Sequence, residues 1–414
     1  VKADGIIITP SHNPPDNGGI KYNTIIGGPA DTVVTKWIEM RANEYLTAYC
    51  ESENFKRISV DNIEPTAQVP YDYKGLYVEE LSEVINMEAI KAAGPKTLVD
   101  TLGGSGASYW KAIKERYGLD LTIIHDEYDP TFSFMTYDHD GKVRMDCSSP
   151  YVMESVINRI GDFDLAVGND PDYDRYGIVI SSGLVSANSF LTMAARYLFT
   201  TRGWKNKGIG KTVVCTTMID KWAAGVEIPV FEVPVGFKYF SQLLFDGVIG
   251  IGGEESAGAS FLKKDGTVWT TDKDGIVMAL LGMEIMAVMG KSALKMADDF
   301  AENYGEPRFG RIDAPCKKEQ KQILKQLSAE LITATSVDGD PITGIRTTSM
   351  YNNMPIDGVR VETDKGWFVA RPSGTEDLYK IYGESYKGDL GLVALLTAGE
   401  EIVNAALNGK IDAE

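Results

Sequence analysis

The amino-acid sequence predicts an α/β protein of several domains with mixed sheets flanked by helices, closed by an α+β domain. Three observations carry this. Strand-like and helix-like segments alternate along most of the chain. Near the C-terminal end the pattern changes to helix, hairpin, helix. The 414 residues also exceed one ordinary core, at roughly 100–200 residues per domain.

The elements follow in order. Gly5-Ile6-Ile7-Ile8 is a β-branched run that reads as a buried strand. Such a strand at the head of a chain that begins without methionine reads as a first domain lacking its earlier part. Thr97–Asp100, a tight turn at Gly103–Gly106, a helix at Ala107–Tyr117 and a strand at Leu121–His125 make a βαβ unit. Asp164–Gly168 is a strand that enters an acidic loop, and strand Gly177–Ser181 leaves it. A second βαβ unit starts at Lys211–Thr216 and reaches Val230–Val233, followed by helix Gly236–Leu244 and strand Val248–Ile251. The closing segment has a helix at Glu319–Thr333, a hairpin from Gly358–Thr363 and Gly366–Ala370, and a helix at Leu392–Leu407. Turn residues cluster near Val69, Gly203 and Pro307, which divides the chain into 1–68, 69–203, 204–306 and 307–414.

Composition excludes several classes. Hydrophobic residues are 43% and charged residues 24%, which excludes a disordered or fibrous chain. A formal charge of −18 argues against nucleic acid or an anionic membrane as partner. His12, His125 and His139 are too few for a His-rich zinc site. Cys50, Cys147, Cys215 and Cys316 are scattered without CxxC, which fits reduced thiols in a cytoplasmic protein. The most apolar stretch, Gly275 to Gly290, contains Glu284 and is too short to cross a bilayer.

Four loops could carry chemistry. Thr9-Pro10-Ser11-His12-Asn13-Pro14-Pro15 presents Ser11 on a backbone stiffened by proline. Taken alone, Ser11 reads as a turn serine and His12 as a structural hydrogen-bonder. Neither explains the stiffness ahead of Gly18-Gly19-Ile20-Lys21, where the glycines let Lys21 return toward Ser11. In the second loop, spacing of two places Asp170, Asp172 and Asp174 on one side of an extended segment, with Arg175 beside them. Adjacent carboxylates repel unless a cation neutralises them, and hard oxygen ligands suit Mg²⁺. An EF-hand fails, because Arg175 holds the required glycine position and Ser181 that of the terminal Glu. A solvated acidic loop remains the competitor.

The third loop, Gly252-Gly253-Glu254-Glu255-Ser256, offers an acceptor and a donor suited to sugar hydroxyls; a plain glycine turn fits equally well. Lys273 nearby reads as a surface lysine. In the fourth, Arg371-Pro372-Ser373-Gly374-Thr375-Glu376 combines an Arg fork, hydroxyls and exposed backbone N–H into a phosphate cradle, with Lys380 downstream. An ordinary turn with a surface Arg is the alternative. Gly104-Ser105-Gly106 has Tyr109 where a dinucleotide fingerprint needs glycine, so that turn is structural.

All four loops, in this order, resemble the α-D-phosphohexomutase family across essentially the whole chain, and its bacterial glucose-specific phosphoglucomutase branch in particular. The resemblance implies three related α/β domains, the first incomplete here, and a fourth α+β domain. It implies an isomerase that interconverts glucose 1-phosphate and glucose 6-phosphate through glucose 1,6-bisphosphate. Ser11 would be the phosphorylated serine, and its phosphoryl group with Asp170, Asp172 and Asp174 would hold Mg²⁺. Lys21, with His12, would handle the hydroxyl proton. Arg175 would bind phosphate, and Glu254 and Ser256 sugar hydroxyls. Arg371, Ser373, Gly374 and Thr375, with Lys380 and Lys273, would hold the non-reacting phosphate. At Val235-Gly236 other branches carry Thr, so a contact there would be backbone-made. The partners implied are hexose phosphates. A phosphomannomutase, a hexosamine-phosphate mutase and an inactive sugar-phosphate-binding relative are the alternatives.

Overall fold

The computed structural model describes residues 3–52, 59–64, 69–290, 300–374 and 376–409. The first domain contributes an antiparallel pair, β1 (Gly5–Ile8) and β2 (Ile20–Asn23), and helix Thr32–Ser52. Asp31 starts that helix, accepting from the N–H groups of Val33 and Val34. The expectation of a buried opening strand is corrected. Ile6 is 71% and Ile8 75% exposed, because side chains alternate across a two-stranded ribbon and one face carries no cover.

The second domain holds β3 (Thr97–Asp100), β4 (Leu121–Ile124), β5 (Leu165–Gly168), β6 (Gly177–Ile180) and β7 (Gly183–Val185), in the sheet order β4-β3-β5-β6-β7. The third holds β8 (Gly208–Thr212), β9 (Val230–Val233), β10 (Ile249–Gly253) and β11 (Ala259–Phe261), in the order β9-β8-β10-β11. Both sheets therefore run second strand, first, third, fourth. In both, the first three strands are parallel and the fourth is antiparallel. The acidic loop joins the third and fourth strands of one sheet, and the Glu254 loop joins the third and fourth of the other. The Ser11 loop joins β1 to antiparallel β2 in the same manner. One recurring corner of the architecture thus presents three of the four candidate loops.

Strand β8 begins and ends three to four residues before the expected Lys211–Thr216. After Thr212 the chain turns, with Cys215 N donating to Thr212 O. Val213 and Val214 look strand-like because they are buried, but they pack against Ile356, Trp367 and Val369 of the fourth domain.

The fourth domain has one sheet of β12 (Arg308–Pro315), β13 (Ser336–Val337), β14 (Asp340–Thr348), β15 (Pro355–Thr363), β16 (Gly366–Pro372) and β17 (Leu378–Ser385), ordered β12-β17-β16-β15-β14-β13. The helix expected over 319–333 is shorter, Lys318–Lys325, because the chain extends at Ser328 before a 3₁₀ turn at Ala329–Leu331. Helix Gly388–Leu407 lies on β12, β16 and β17 through Leu395 and Val403. By length and composition it could cross a membrane; its buried stripe instead faces this sheet. Glu232 of β9 pairs with Arg346 of β14 at 2.5 and 2.9 Å, fastening the third domain to the fourth.

Helix Gly275–Met289 is the apolar stretch seen in the sequence, and it is a core helix. Its Glu284 is wholly buried. The carboxylate accepts from Arg202 at 2.7 and 2.9 Å, Tyr197 at 2.8 Å and the Asn86 N–H at 2.7 Å. A buried ion pair stripped of one partner leaves an uncompensated charge. Glu284→Ala is therefore expected to lower unfolding stability by about 3–5 kcal/mol, read as a fall in the urea midpoint. An unchanged midpoint contradicts this account.

Candidate active site

The Ser11 loop is shaped from within. Thr9 Oγ1 accepts from Ser11 N at 2.8 Å and donates to Asp172 at 3.0 Å. Ser11 has φ 56°, a left-handed conformation that a non-glycine residue adopts at a cost. Gly19 lets the returning chain close: a Cβ there would lie 2.5 Å from Thr9 O. The loop docks on the second domain through Met145 N donating to His12 O at 3.1 Å.

The acidic loop is braced on both sides. Ser105 donates through N and Oγ to Pro171 O at 2.9 and 3.0 Å, which gives the Gly103–Gly106 turn a structural role. Asn169 accepts from Trp110 at 3.0 Å and donates to Arg175 O at 2.9 Å. Gly275 packs against the same carbonyl, where a Cβ would come within 2.0 Å. Held this way, ligand oxygens of Asp170, Asp172 and Asp174 all lie within 4.8 Å of one another.

Cations from three domains surround this cluster. Lys21 donates to Asp172 at 2.6 Å and Asp174 at 2.9 Å. Lys273 lies 2.8 Å from Asp174 and is half-buried, so the surface reading of Lys273 is corrected. Arg175 approaches Asp170 and Asp174 at 4.0 and 3.8 Å. Burial, then Asp174 and Asp172, push Asp170 well above the usual carboxylate range. Burial would raise Asp174 too, but Lys273, Lys21 and Arg175 outweigh it and hold it low. One oxygen of each aspartate, Asp170 Oδ2, Asp172 Oδ1 and Asp174 Oδ1, is buried without a hydrogen-bond partner. Unsatisfied oxygens on three aspartates whose ligand atoms lie this close together fit a hard divalent cation.

His12 and Lys21 differ in proton chemistry. His12 Nδ1 lies 3.3 Å from Ser11 Oγ, and Nε2 lies 3.7 Å from Asp146. Burial, then Arg175, lowers His12 to about 4, so it is neutral and able to accept a proton. Burial pulls Lys21 down, but Asp174 and Asp172 more than restore it, and it is held as an ammonium. A bound ammonium is a donor, not a base.

The Glu254 loop faces the acidic loop, bridged at Arg175 and Gly258, with Tyr176 N donating to Ala257 O at 3.2 Å. Glu254 is buried and Ser256 half-buried. Val235 packs on the apolar seam between the third and fourth domains, and Gly236 beside it has φ 132°. In the fourth domain Ser373 is buried, its Oγ accepting from Glu376 N at 3.2 Å. Arg371 donates to Ile356 O at 3.4 Å, Lys380 lies 2.8 Å from Glu376, and Gly374 is exposed. Thr375 lies outside the described residues.

The sequence reading missed Thr9, Asp146 and Arg311. Arg311 and Asp313 of β12 oppose Tyr382 and Lys380 of β17, and Lys380 opposes Arg371 of β16. This puts Arg311 on the sheet face that carries Arg371 and Lys380. Strand alternation in Arg311-Ile312-Asp313 was the available signal.

Burial lifts Glu254 from 4.5 to about 7. A folded value above the unfolded one favours the fold at low pH, and that contribution fades as pH rises through about 7. Between pH about 4.5 and about 7, the wild-type Tm should fall relative to that of Glu254→Gln. Parallel Tm profiles for the two proteins would refute the shift.

Known proteins match this geometry. Four models of the phosphoglucomutase/phosphomannomutase family match: alpha/beta/alpha domain I over residues 1–48, domain II over 76–183, domain III over 186–304 and the C-terminal domain over 314–390. A phosphoglucomutase of Komagataeibacter xylinus is 46% identical over 407 residues, covering 97% of this chain and 73% of that protein. Phosphoglucomutase 1 of Saccharomyces cerevisiae is 27% identical, covering 93% and 71%. Among solved structures, the open form of pp63/parafusin from Paramecium superposes with a TM-score of 0.70 at 19% identity, covering 99% and 78%. Aspergillus fumigatus N-acetylphosphoglucosamine mutase, solved with GlcNAc-6P and magnesium, gives 0.60 at 16%, covering 97% and 89%. The chain belongs to the phosphoglucomutase/phosphomannomutase family.

Proposed function

We propose that this protein is a phosphoglucomutase that interconverts α-D-glucose 1-phosphate and glucose 6-phosphate through a phosphoserine at Ser11. What carries the reading is one juxtaposition: Ser11, His12 and Lys21 of the first domain set against Asp170, Asp172 and Asp174 of the second. The 46% identical relative named phosphoglucomutase favours glucose over mannose or hexosamine.

In the forward cycle the Ser11 phosphoryl group passes to O6 of glucose 1-phosphate, the O6 proton passing through His12 to the freed Ser11 Oγ, which gives glucose 1,6-bisphosphate and a free serine. The bisphosphate turns over in the cleft. Its C1 phosphoryl group then passes to Ser11 Oγ, whose proton goes to His12 and from there to the leaving O1, and glucose 6-phosphate leaves. Asp170, Asp172 and Asp174 would hold Mg²⁺ beside the phosphoserine. The chemistry a bound Mg²⁺ supplies is neutralisation of phosphoryl charge. Lys21 donates to oxygens near the reacting centre, and Arg175 balances the carboxylates. Glu254 and Ser256 orient sugar hydroxyls, while Arg371, Ser373, Gly374, Thr375 and Lys380 hold the phosphate that is not reacting; Lys273, 2.8 Å from Asp174, works with the acidic cluster instead. Because the sugar turns between steps, that cradle must accept either end of the bisphosphate. The cysteines, all free, support the reading of a cytoplasmic protein.

Ser11→Ala should abolish turnover in an Mg²⁺-dependent mutase assay; retained activity sinks the phosphoserine cycle. Separately, saturating Mg²⁺ should raise the wild-type Tm, worth about 2.7 kcal/mol at one hundred times Kd. Asp172→Asn should lose most of that rise. A wild-type Tm that ignores Mg²⁺ contradicts the metal assignment.

A further inference from the structure

Arg144 belongs to none of the four loops, yet it meets two of them. Its Nε donates to Asp140 at 2.9 Å, which anchors a guanidinium that is only 16% exposed. From there Nη1 reaches Asn13 on the serine loop at 3.3 Å and Glu376 on the phosphate loop at 3.9 Å. The second contact exceeds hydrogen-bond range and is Coulombic. The other oxygen of Glu376 lies 2.8 Å from Lys380. A single carboxylate thus sits between a cation of the second domain and a cation of the fourth. The shape of its loop does not depend on it. The Glu376 backbone is held separately, its N–H by Ser373 Oγ at 3.2 Å and its carbonyl by Lys321.

We propose that the Glu376 carboxylate is an internal stand-in for a phosphate: it holds Arg144 and Lys380 until an arriving phosphate displaces it. Arg144 then becomes a phosphate-binding residue supplied by the second domain. The proposal rests on reading Arg371 to Lys380 as a phosphate loop. A phosphate dianion carries more charge than a carboxylate and offers the guanidinium fork a better-matched set of oxygens. Glu376 is 30% exposed, so its released carboxylate has water to turn into. Partly exposed pairs of this kind are weak, which keeps the exchange within reach of a ligand. Arg144 would also tie phosphate capture to the serine loop through Asn13.

The test is inorganic phosphate binding, followed by calorimetry and ³¹P NMR on the full chain, with Tm recorded for each variant. Glu376→Gln, nearly isosteric, should bind phosphate about two- to fivefold more tightly, because the competing charge is gone. Arg144→Gln should bind about tenfold more weakly, with Arg144→Lys restoring part of the loss. Unchanged or weaker binding in Glu376→Gln overturns the proposal, as a purely structural Glu376 predicts weaker binding and a lower Tm. Unchanged binding in Arg144→Gln overturns it as well. Mutase turnover is scored separately: absent turnover with these affinity changes would count against the catalytic reading and leave the exchange standing.

Discussion

Three carboxylates crowded at the end of one strand repel one another, and much of this cleft is arranged around that repulsion. Asp170, Asp172 and Asp174 cannot all be ionised and buried without nearby positive charge. Arg175 comes from the same loop, Lys21 from the first domain and Lys273 from the third. The cluster therefore acts as a fastener as well as a site. Each domain that supplies a cation is pulled toward the same point, which lets loops distant in sequence face one small volume. The overall charge of −18 offers no attractive field for an anion; the positive charge here is local, from a few cations held against the aspartates.

Topology explains why the loops meet. The second and third domains repeat one strand order, and each places its working loop between a third strand and an antiparallel fourth. The β1–β2 hairpin offers the serine loop in the same way. Packing these corners against one another brings the Ser11 loop, acidic cluster and Glu254 loop together. The bridge between Arg175 and Gly258 is the direct seam between two of them. The fourth domain breaks the pattern. It docks through ion pairs such as Glu232 with Arg346 and through the small apolar seam around Trp367.

Local chemistry was legible in the sequence. Helix Ala107–Tyr117 and strands Thr97–Asp100 and Val230–Val233 were read to the residue, because periodicity and turn residues bound them on both sides. The acidic loop was equally readable, since alternate aspartates state their own electrostatic problem. Properties set by distant partners were not readable. Lys273 looks like any lysine until the third domain folds it onto Asp174. Val213 and Val214 imitate a strand because the fourth domain buries them. Ile6 and Ile8 imitate a core strand although one face of their ribbon is open. Arg144 and Asp146 sit in a loop without a motif, and their contacts to Glu376 and His12 come from other domains.

Lys21 occupies the space among the aspartates as a tethered cation, bonded to two of the residues a metal would use. A small cation held by the unpaired oxygens of these aspartates would sit beside that ammonium and share the same carboxylates with it. The ammonium is tethered and stays when the ion arrives, so loading adds the ion's full charge to the cleft. Bulk salt should weaken that binding less than it weakens a surface site, because the carboxylates that hold the ion are largely enclosed.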